Sequence, residues 1–458
     1  VKKMQQVDRR QFLKRSAAVA AAAVGFPTII PASALGAEGR PAPSNRITMG
    51  CIGLGGQGTW NMKQFLGMPD VQVVALCDVE QGTDRGYYDG SSHGLKPALE
   101  EVKKAYEDRA KAGEFKGCDL YSDFRELLAR KDIDTALICT PDHWHALITI
   151  AAARAGKDIY CEKPLANSIA EGRAVCETVK RYGRILQTGS HERSTGTVRQ
   201  ACELVRNGRL GKLHTIQINM PNNDPHHDEI RRFLTPLQEE PVPKTLDWEM
   251  WQGHTMWRPY NARRCHFYWR FIMDTGGGEM TDRGAHIIDI GQLGNKTDHT
   301  GPIEIKATGT NNPDGPYNAF LKYEFEALYA NGVRLVGTSN PPRGLKFIGD
   351  NGWIFINIHG GQLEASNQNL LKEAIGPGEE TLGRSRGHRE NFIDCVKTRE
   401  APMAPVEAGH RTASICHLLN IAMTLNTPIK WDPEKERCTN DERVNGLLSP
   451  AMRAPWIL

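Results

Sequence analysis

The sequence predicts an α/β protein of two domains: an N-terminal doubly wound parallel sheet, then a C-terminal α+β domain with an open, largely antiparallel sheet. Three observations predict it. Apolar strand-like runs alternate with helical patterns from residue 46 to about residue 190, the order that produces a parallel sheet covered by helices on both faces. A glycine-rich turn, Gly53-Leu54-Gly55-Gly56-Gln57-Gly58, separates the first run from the first helix. Beyond Gly211 apolar and polar residues alternate, as in residues 213–220, 319–329, 333–339 and 353–358, the period of strands with one solvated face.

The 458 residues are enough for two self-sufficient cores, and 40% hydrophobic with 24% charged residues is the balance of a folded globular protein. A net charge of +3, with no basic block interleaved with aromatics, argues against nucleic-acid or membrane-surface binding. At the amino end, Arg9-Arg10-Gln11-Phe12-Leu13-Lys14 precedes an apolar stretch over residues 17–30 and the small residues Ala32-Ser33-Ala34. This is the pattern of a twin-arginine export signal, so the expectation is a signal over residues 1–37, recognised by the twin-arginine translocase, and a linker over 38–45. The mature chain is expected to be periplasmic or otherwise exported, without a membrane anchor. Eleven cysteines, an odd number with no CxxC pair, read as buried free thiols rather than a disulfide framework.

The first domain is expected over residues 46–191. A strand at 47–52 runs into the glycine turn, a helix follows at 59–66, and a second strand at 71–77 ends at Asp78. In a Rossmann domain Gly53 permits the tight turn, Gly55 with Gly56 lets backbone amides approach a pyrophosphate, and Gly58 lets the helix pack on the strand. Asp78, about 20 residues past the last glycine, can accept hydrogen bonds from both ribose hydroxyls and repels a 2′-phosphate. That favours NAD; Arg85 nearby keeps NADP open. A helix at 97–112, another at 124–130, a strand at 135–140, a helix at 146–155 and a strand at 158–161 complete the alternation. The second domain is expected over residues 192–458.

The chain resembles the glucose-fructose oxidoreductase, inositol dehydrogenase and rhizopine-catabolism (Gfo/Idh/MocA) family. The resemblance runs from Arg46 to Leu458 and is carried by the glycine turn, by Thr140-Pro141-Asp142-His143-Trp144-His145, by residues 156–164 ending in Glu162-Lys163-Pro164, and by residues 276–286. It implies that Thr140, Pro141, His143 and His145 belong to a cofactor-side loop, and that Glu162 and Lys163 lie beside the nicotinamide with Lys163 reaching the substrate hydroxyl. It also implies a homodimer or homotetramer formed through the second domain's sheet.

Asp282 and His286 are four residues apart and share a face if their segment is helical. An imidazole is a base of suitable strength for a carbinol proton. His286 is therefore the expected proton acceptor, with Asp282 orienting or charging it and Lys163 completing the catalytic set; the spacing matches the family's pair. Asp289 is a further candidate to hold the ring or the substrate. The aromatic-rich stretch 246–271 suits stacking against a sugar, with Trp251, Tyr260, Arg264 and His266 as candidate substrate contacts; the same aromatics serve equally well as sheet-face or interface packing. His226-His227-Asp228-Glu229 lacks any HExxH-type spacing, and adjacent histidines rarely share an ion, so no metal site is expected.

The expected function is thus an exported nicotinamide-dependent oxidoreductase acting on a carbinol of a sugar, polyol or glycoside. Free NAD is scarce outside the cytoplasm, so the cofactor is expected to be tightly bound and internally recycled. A redox-neutral, NAD-dependent glycosidase or lyase is the alternative, and a carbohydrate-binding protein without turnover is a third reading.

Overall fold

The structure, a computed structural model, describes residues 45–83, 91–312 and 314–458. The twin-arginine segment, the linker apart from its last residue, and Arg85 lie outside the described residues. Among the described residues no helix is long and apolar enough to cross a membrane.

Six strands, β1 (Ile47–Ile52), β2 (Val71–Cys77), β3 (Asp119–Tyr121), β4 (Thr135–Ile138), β5 (Asp158–Cys161) and β6 (Leu186–Thr188), form an all-parallel sheet in the order β3-β2-β1-β4-β5-β6. The strand order reverses between β1 and β4, so the loops leaving their carboxyl ends diverge and open a crevice. Helix α1 (Gly56–Leu66) follows the glycine turn, α2 (Asp142–Arg154) follows β4, and α3 (Ile169–Arg181) comes after β5. Both sheet faces are covered. Met49, Phe65 and Leu76 lie in one apolar layer, and Ile52, Ala136 and Ile159 in the other. This is why β4 and β5 are buried at every position instead of alternating.

The helix expected at 59–66 begins at Gly56 and the one at 124–130 ends at Leu128, and two others change more. The one at 146–155 begins at Asp142, directly after Pro141. The one at 97–112 divides into Leu95–Ala105 and Glu107–Lys111 at Tyr106, whose hydroxyl accepts the Val73 amide at 3.0 Å.

The second sheet has nine strands: β7 (Leu213–Asn219), β8 (Glu304–Thr310), β9 (Lys322–Leu328), β10 (Arg334–Thr338), β11 (Gly344–Gly349), β12 (Gly352–Asn357), β13 (Gln362–Ala365), β14 (Ile429–Asp432) and β15 (Arg437–Cys438), in the order β13-β12-β11-β7-β10-β9-β8-β14-β15. Only the β7–β10 pair is parallel. Inward-facing Ile216, Leu335 and Phe347 pack with Ile287 and Ile290 of α4 (Gly284–Gly294), and with Leu418 and Leu419 of α6 (Val406–Leu425). Between these, α5 (His388–Thr398) returns to the first domain: Phe392 packs edge-on against Phe65 and Tyr160, and the His388 ring contacts the Thr188 carbonyl at 2.8 Å. A segment expected to belong to the second domain therefore helps to complete the core of the first.

Candidate active site

A cavity of about 590 Å³ opens at the carboxyl ends of β1, β2, β4 and β5 and is walled on its far side by residues of the second domain. The glycine turn forms its floor. Gly53 adopts φ +84°, and a Cβ there would stand 2.6 Å from the Thr140 amide nitrogen. A Cβ on Gly58 would meet the Gly53 carbonyl oxygen at 1.9 Å. Two loops and a helix thus converge at a point where a side chain has no room, which is the physical content of the first and last glycines.

The cofactor-side residues converge on this floor. Gly55 caps α1 without any side-chain hydrogen bond, so the amides of the first turn remain available to an anion. The Thr140 hydroxyl is buried with no hydrogen-bond partner among the described residues. Asp78 lines the cavity, but its carboxylate also accepts the Leu54 amide at 2.5 Å and the Glu80 amide at 2.9 Å; it pins the turn besides facing the cavity. Burial raises Asp78 to about 6, against the lowering effect of those amides. Glu162 accepts Asn61 Nδ2 at 2.8 Å and Gln57 Nε2 at 3.3 Å. The His145 ring bridges the Pro164 and Thr140 carbonyls at 2.6 and 2.9 Å, tying the two loops together. A close-approach turn, an open helix amino end and an orphaned hydroxyl fit a dinucleotide: α1 can hold the diphosphate, Asp78 the ribose, and Thr140 with Glu162 and Lys163 the far end.

Beyond that floor, Lys163, whose peptide bond to Pro164 is cis, extends its ammonium to Asp282, 2.5 Å from Oδ1 and 3.0 Å from the carbonyl oxygen. Arg270 stands 3.8 Å from the same carboxylate. Burial pushes Asp282 up, but Lys163 and Arg270 outweigh it and hold the carboxyl well below the usual range. Asp142, buried nearby without so close a partner, rises to about 8. His286 lines the cavity on α4, and burial, followed by the Lys163 charge, pushes its pKa well down, leaving a neutral imidazole at neutral pH. The helical segments Glu279–Asp282 and Gly284–Gly294 meet at Arg283, which keeps a helical conformation and whose carbonyl accepts the Ile287 amide at 3.1 Å. Among the described residues no hydrogen bond joins the two side chains. Asp282 positions Lys163, not the histidine.

Of the remaining expected contacts, Trp251 and His266 line the cavity. Four residues do not. His143 is wholly buried beneath it, with its Nε2 3.0 Å from the Trp251 carbonyl, an oxygen that also accepts Trp144 Nε1 at 2.9 Å. Tyr260 packs edge-on against Trp248 in the aromatic cluster that also holds Trp251 and Trp269, and supports those rings without lining the cavity itself. Arg264 lies outside the lining. Asp289 is sequestered by Arg193, whose guanidinium meets both carboxylate oxygens at 2.7 Å. These corrections share a cause: a polar or aromatic residue near a site is as useful for fixing its walls as for lining them.

Gln57 of the glycine turn joins the cofactor side, and within the aromatic-rich stretch expected to meet a sugar, Trp269, with Arg270 stacked 4.4 Å over its ring, also joins the far wall. Three imidazoles meet there as well: the His286 ring centroid is 4.8 Å from those of both His191 and His359. His191 begins the short helix after β6, and His359 sits in the turn between β12 and β13.

Residues 47–190 match the description "Oxidoreductase family, NAD-binding Rossmann fold", and residues 195–458 match "Oxidoreductase family, C-terminal alpha/beta domain". An alpha-N-acetylgalactosaminidase of Shewanella oneidensis is 30% identical over 221 residues, which are 46% of this chain and 45% of the relative. The chain spans about half the length of the curated relatives it matches. Two solved structures share the fold over 84% of this chain and 99% of theirs, each with a TM-score of 0.57: an aldose-aldose oxidoreductase from Caulobacter crescentus complexed with glycerol (18% identity), and the WlbA dehydrogenase from Bordetella pertussis in complex with NADH and UDP-GlcNAcA (14%).

Proposed function

The chain belongs to the Gfo/Idh/MocA oxidoreductase family, with that family's NAD-binding Rossmann domain and C-terminal α/β domain, and on that premise we propose that it oxidises a carbinol of a sugar, polyol or glycoside. The observation that carries the reading is the meeting of Lys163, held by Asp282, with a neutral His286 in the cavity floored by the glycine turn. Bound NAD supplies the hydride acceptor. The Lys163 ammonium stabilises the oxygen that loses its proton, and the His286 imidazole takes that proton. Asp282 keeps the lysine side chain aimed into the cavity, while Trp251 and Trp269 offer apolar faces to a sugar ring.

In this reading the protein is exported by the twin-arginine route with its nucleotide already bound, and a second substrate recycles it. The arginine pair and apolar run over residues 9–30 support export. Assembly as a homodimer or homotetramer remains part of the proposal. A second reading, redox-neutral cleavage of a glycosidic bond, is supported by the Shewanella relative.

The test is to denature the purified protein, quantify released nucleotide by mass and absorbance, and repeat after incubation with sugars, polyols and glycosides including N-acetylgalactosaminides. Stoichiometric NAD reduced by one substrate without bond cleavage supports the oxidoreductase. Release of the aglycone with the nucleotide left oxidised supports the glycosidase. A protein that neither retains nor takes up NAD would overturn both.

A further inference from the structure

Beside the Lys163 group, the far wall holds a second set of side chains that the reaction above does not use. Glu192 is almost fully buried, and its Oε1 lies 2.9 Å from His359 Nδ1 and 3.5 Å from His191 Nε2. The three candidate ligand atoms all fall within 4.8 Å of one another. We propose that His191, Glu192 and His359 bind a divalent transition-metal ion of the zinc class, leaving one coordination position open to the cavity.

Four observations carry this. First, a tetrahedral ion with ligand bonds of about 2.0–2.1 Å spaces its ligands by about 3.3 Å, and the two spacings from Glu192 Oε1, 2.9 and 3.5 Å, bracket that value. Second, the donors are two imidazoles and one carboxylate, which suit zinc, cobalt or iron better than the all-oxygen preference of calcium or magnesium. Third, the carboxylate is held from behind: the His359 amide donates to Oε1 at 3.2 Å and the Thr195 hydroxyl to Oε2 at 3.4 Å. Fourth, the buried Nδ1 of His286 has no hydrogen-bond partner among the described residues, although its ring packs against both His191 and His359. An unpartnered imidazole nitrogen next to three gathered donors shows that this wall is built for a polar occupant, whether substrate or ion-bound water.

A second cluster, Asp224, His226 and His227, has similar spacing but the wrong charge. Asp224 is already paired with Arg283 and Arg343, and His227 Nε2 lies 2.7 Å from Glu279 while its Nδ1 accepts the Asp224 amide. Two guanidinium groups beside the carboxylate repel a cation. Glu192 has ion pairs only with its two histidines among the described residues. Because His191 and His359 line the cavity on the side of His286, the open position faces the substrate, where the ion takes a water or a substrate hydroxyl. Three protein ligands and one open position are the arrangement of reactive rather than structural zinc.

The test uses the full chain with its nucleotide bound, stripped of metal by dialysis against dipicolinate. Titration with zinc chloride in a calorimeter should show one site per chain with a dissociation constant below about 1 μM, the tight range for a three-ligand site. His359→Asn should weaken it at least tenfold; asparagine tolerates the φ of +68° at this position, so the turn survives, and a circular-dichroism melt checks that. Glu192→Gln should do the same, whereas His226→Asn should leave it unchanged. A protein with no saturable site, or with a site indifferent to His359→Asn, would overturn the proposal. Replacing zinc by cobalt provides a second readout: its visible bands should shift on adding azide, and bands that stay fixed would refute the open position. None of these readouts depends on NAD reduction, so the metal site and the proposed reaction can fail separately.

Discussion

The cofactor wall of the cavity is assembled from short stretches that each follow a strand, the glycine turn after β1, Asp78 after β2, Thr140 after β4 and Glu162-Lys163 after β5; the facing wall draws His191, the adjacent Trp269 and Arg270, Asp282, His286 and His359 from five separate segments of two domains. The first wall is made largely of backbone. Its demands fall on residue types, because only glycine fits where a Cβ would stand 1.9 Å from a carbonyl oxygen. The second is made of side chains, and any residue type that reaches the cavity can serve. Local order therefore announces the first wall, and only packing assembles the second.

The contrast breaks most visibly at Lys163, which grows from the first wall but works with the second. Lys163→Ala should lower kcat by about 10²–10⁴, the range for a proton-handling group, with NAD still bound; full activity would show that the lysine belongs to the cofactor wall alone. His286→Ala should reduce turnover within the same range and also leave nucleotide content intact. Nucleotide absorbance and turnover measured on the same preparation separate the two effects.

On the cofactor wall, Gly58→Ala forces a methyl against backbone that cannot yield and should lower stability by about 1–3 kcal/mol, read from urea unfolding, together with NAD affinity. Asp78→Asn should weaken NAD about tenfold, in line with loss of a hydrogen bond to a charged group at about 1.5–3 kcal/mol. The same carboxyl sets a pH dependence. It is raised to about 6 in the free protein, and ribose hydroxyls prefer the ionised form, so NAD affinity should be full above pH 6 and fall as pH drops through that value; Asp78→Asn should flatten the profile. Smallest of all, Arg264→Ala should leave kcat/KM within about twofold, as for a surface change away from the site.

Several misreadings follow from the same division. His143 and His145 are two residues apart in one motif, yet His145 bridges the cofactor loops while His143 holds the Trp251 carbonyl from below. On a helix, neighbours two apart point in different directions, and the motif alone does not say which direction meets the cavity. Asp282 and His286 have the spacing of a helical pair, but the reach of Lys163 to the Asp282 carboxylate reassigns the aspartate. His191 and His359 carried no signal at all, because nothing in either neighbourhood points to the other.

By itself, the sequence determined the alternation of strands and helices, the glycine turn and the Asp78 position, and through its family resemblance it nominated Lys163 and His286, since each rests on period, steric exclusion or a motif confined to a few consecutive residues. Tertiary structure alone decided that α5 completes the first domain's core, that Asp282 serves Lys163, that Asp289 is sequestered by Arg193, and that His191, Glu192 and His359 meet. Contacts between residues far apart in the chain are selected by the packing of whole elements, and that selection leaves no periodic trace in the sequence.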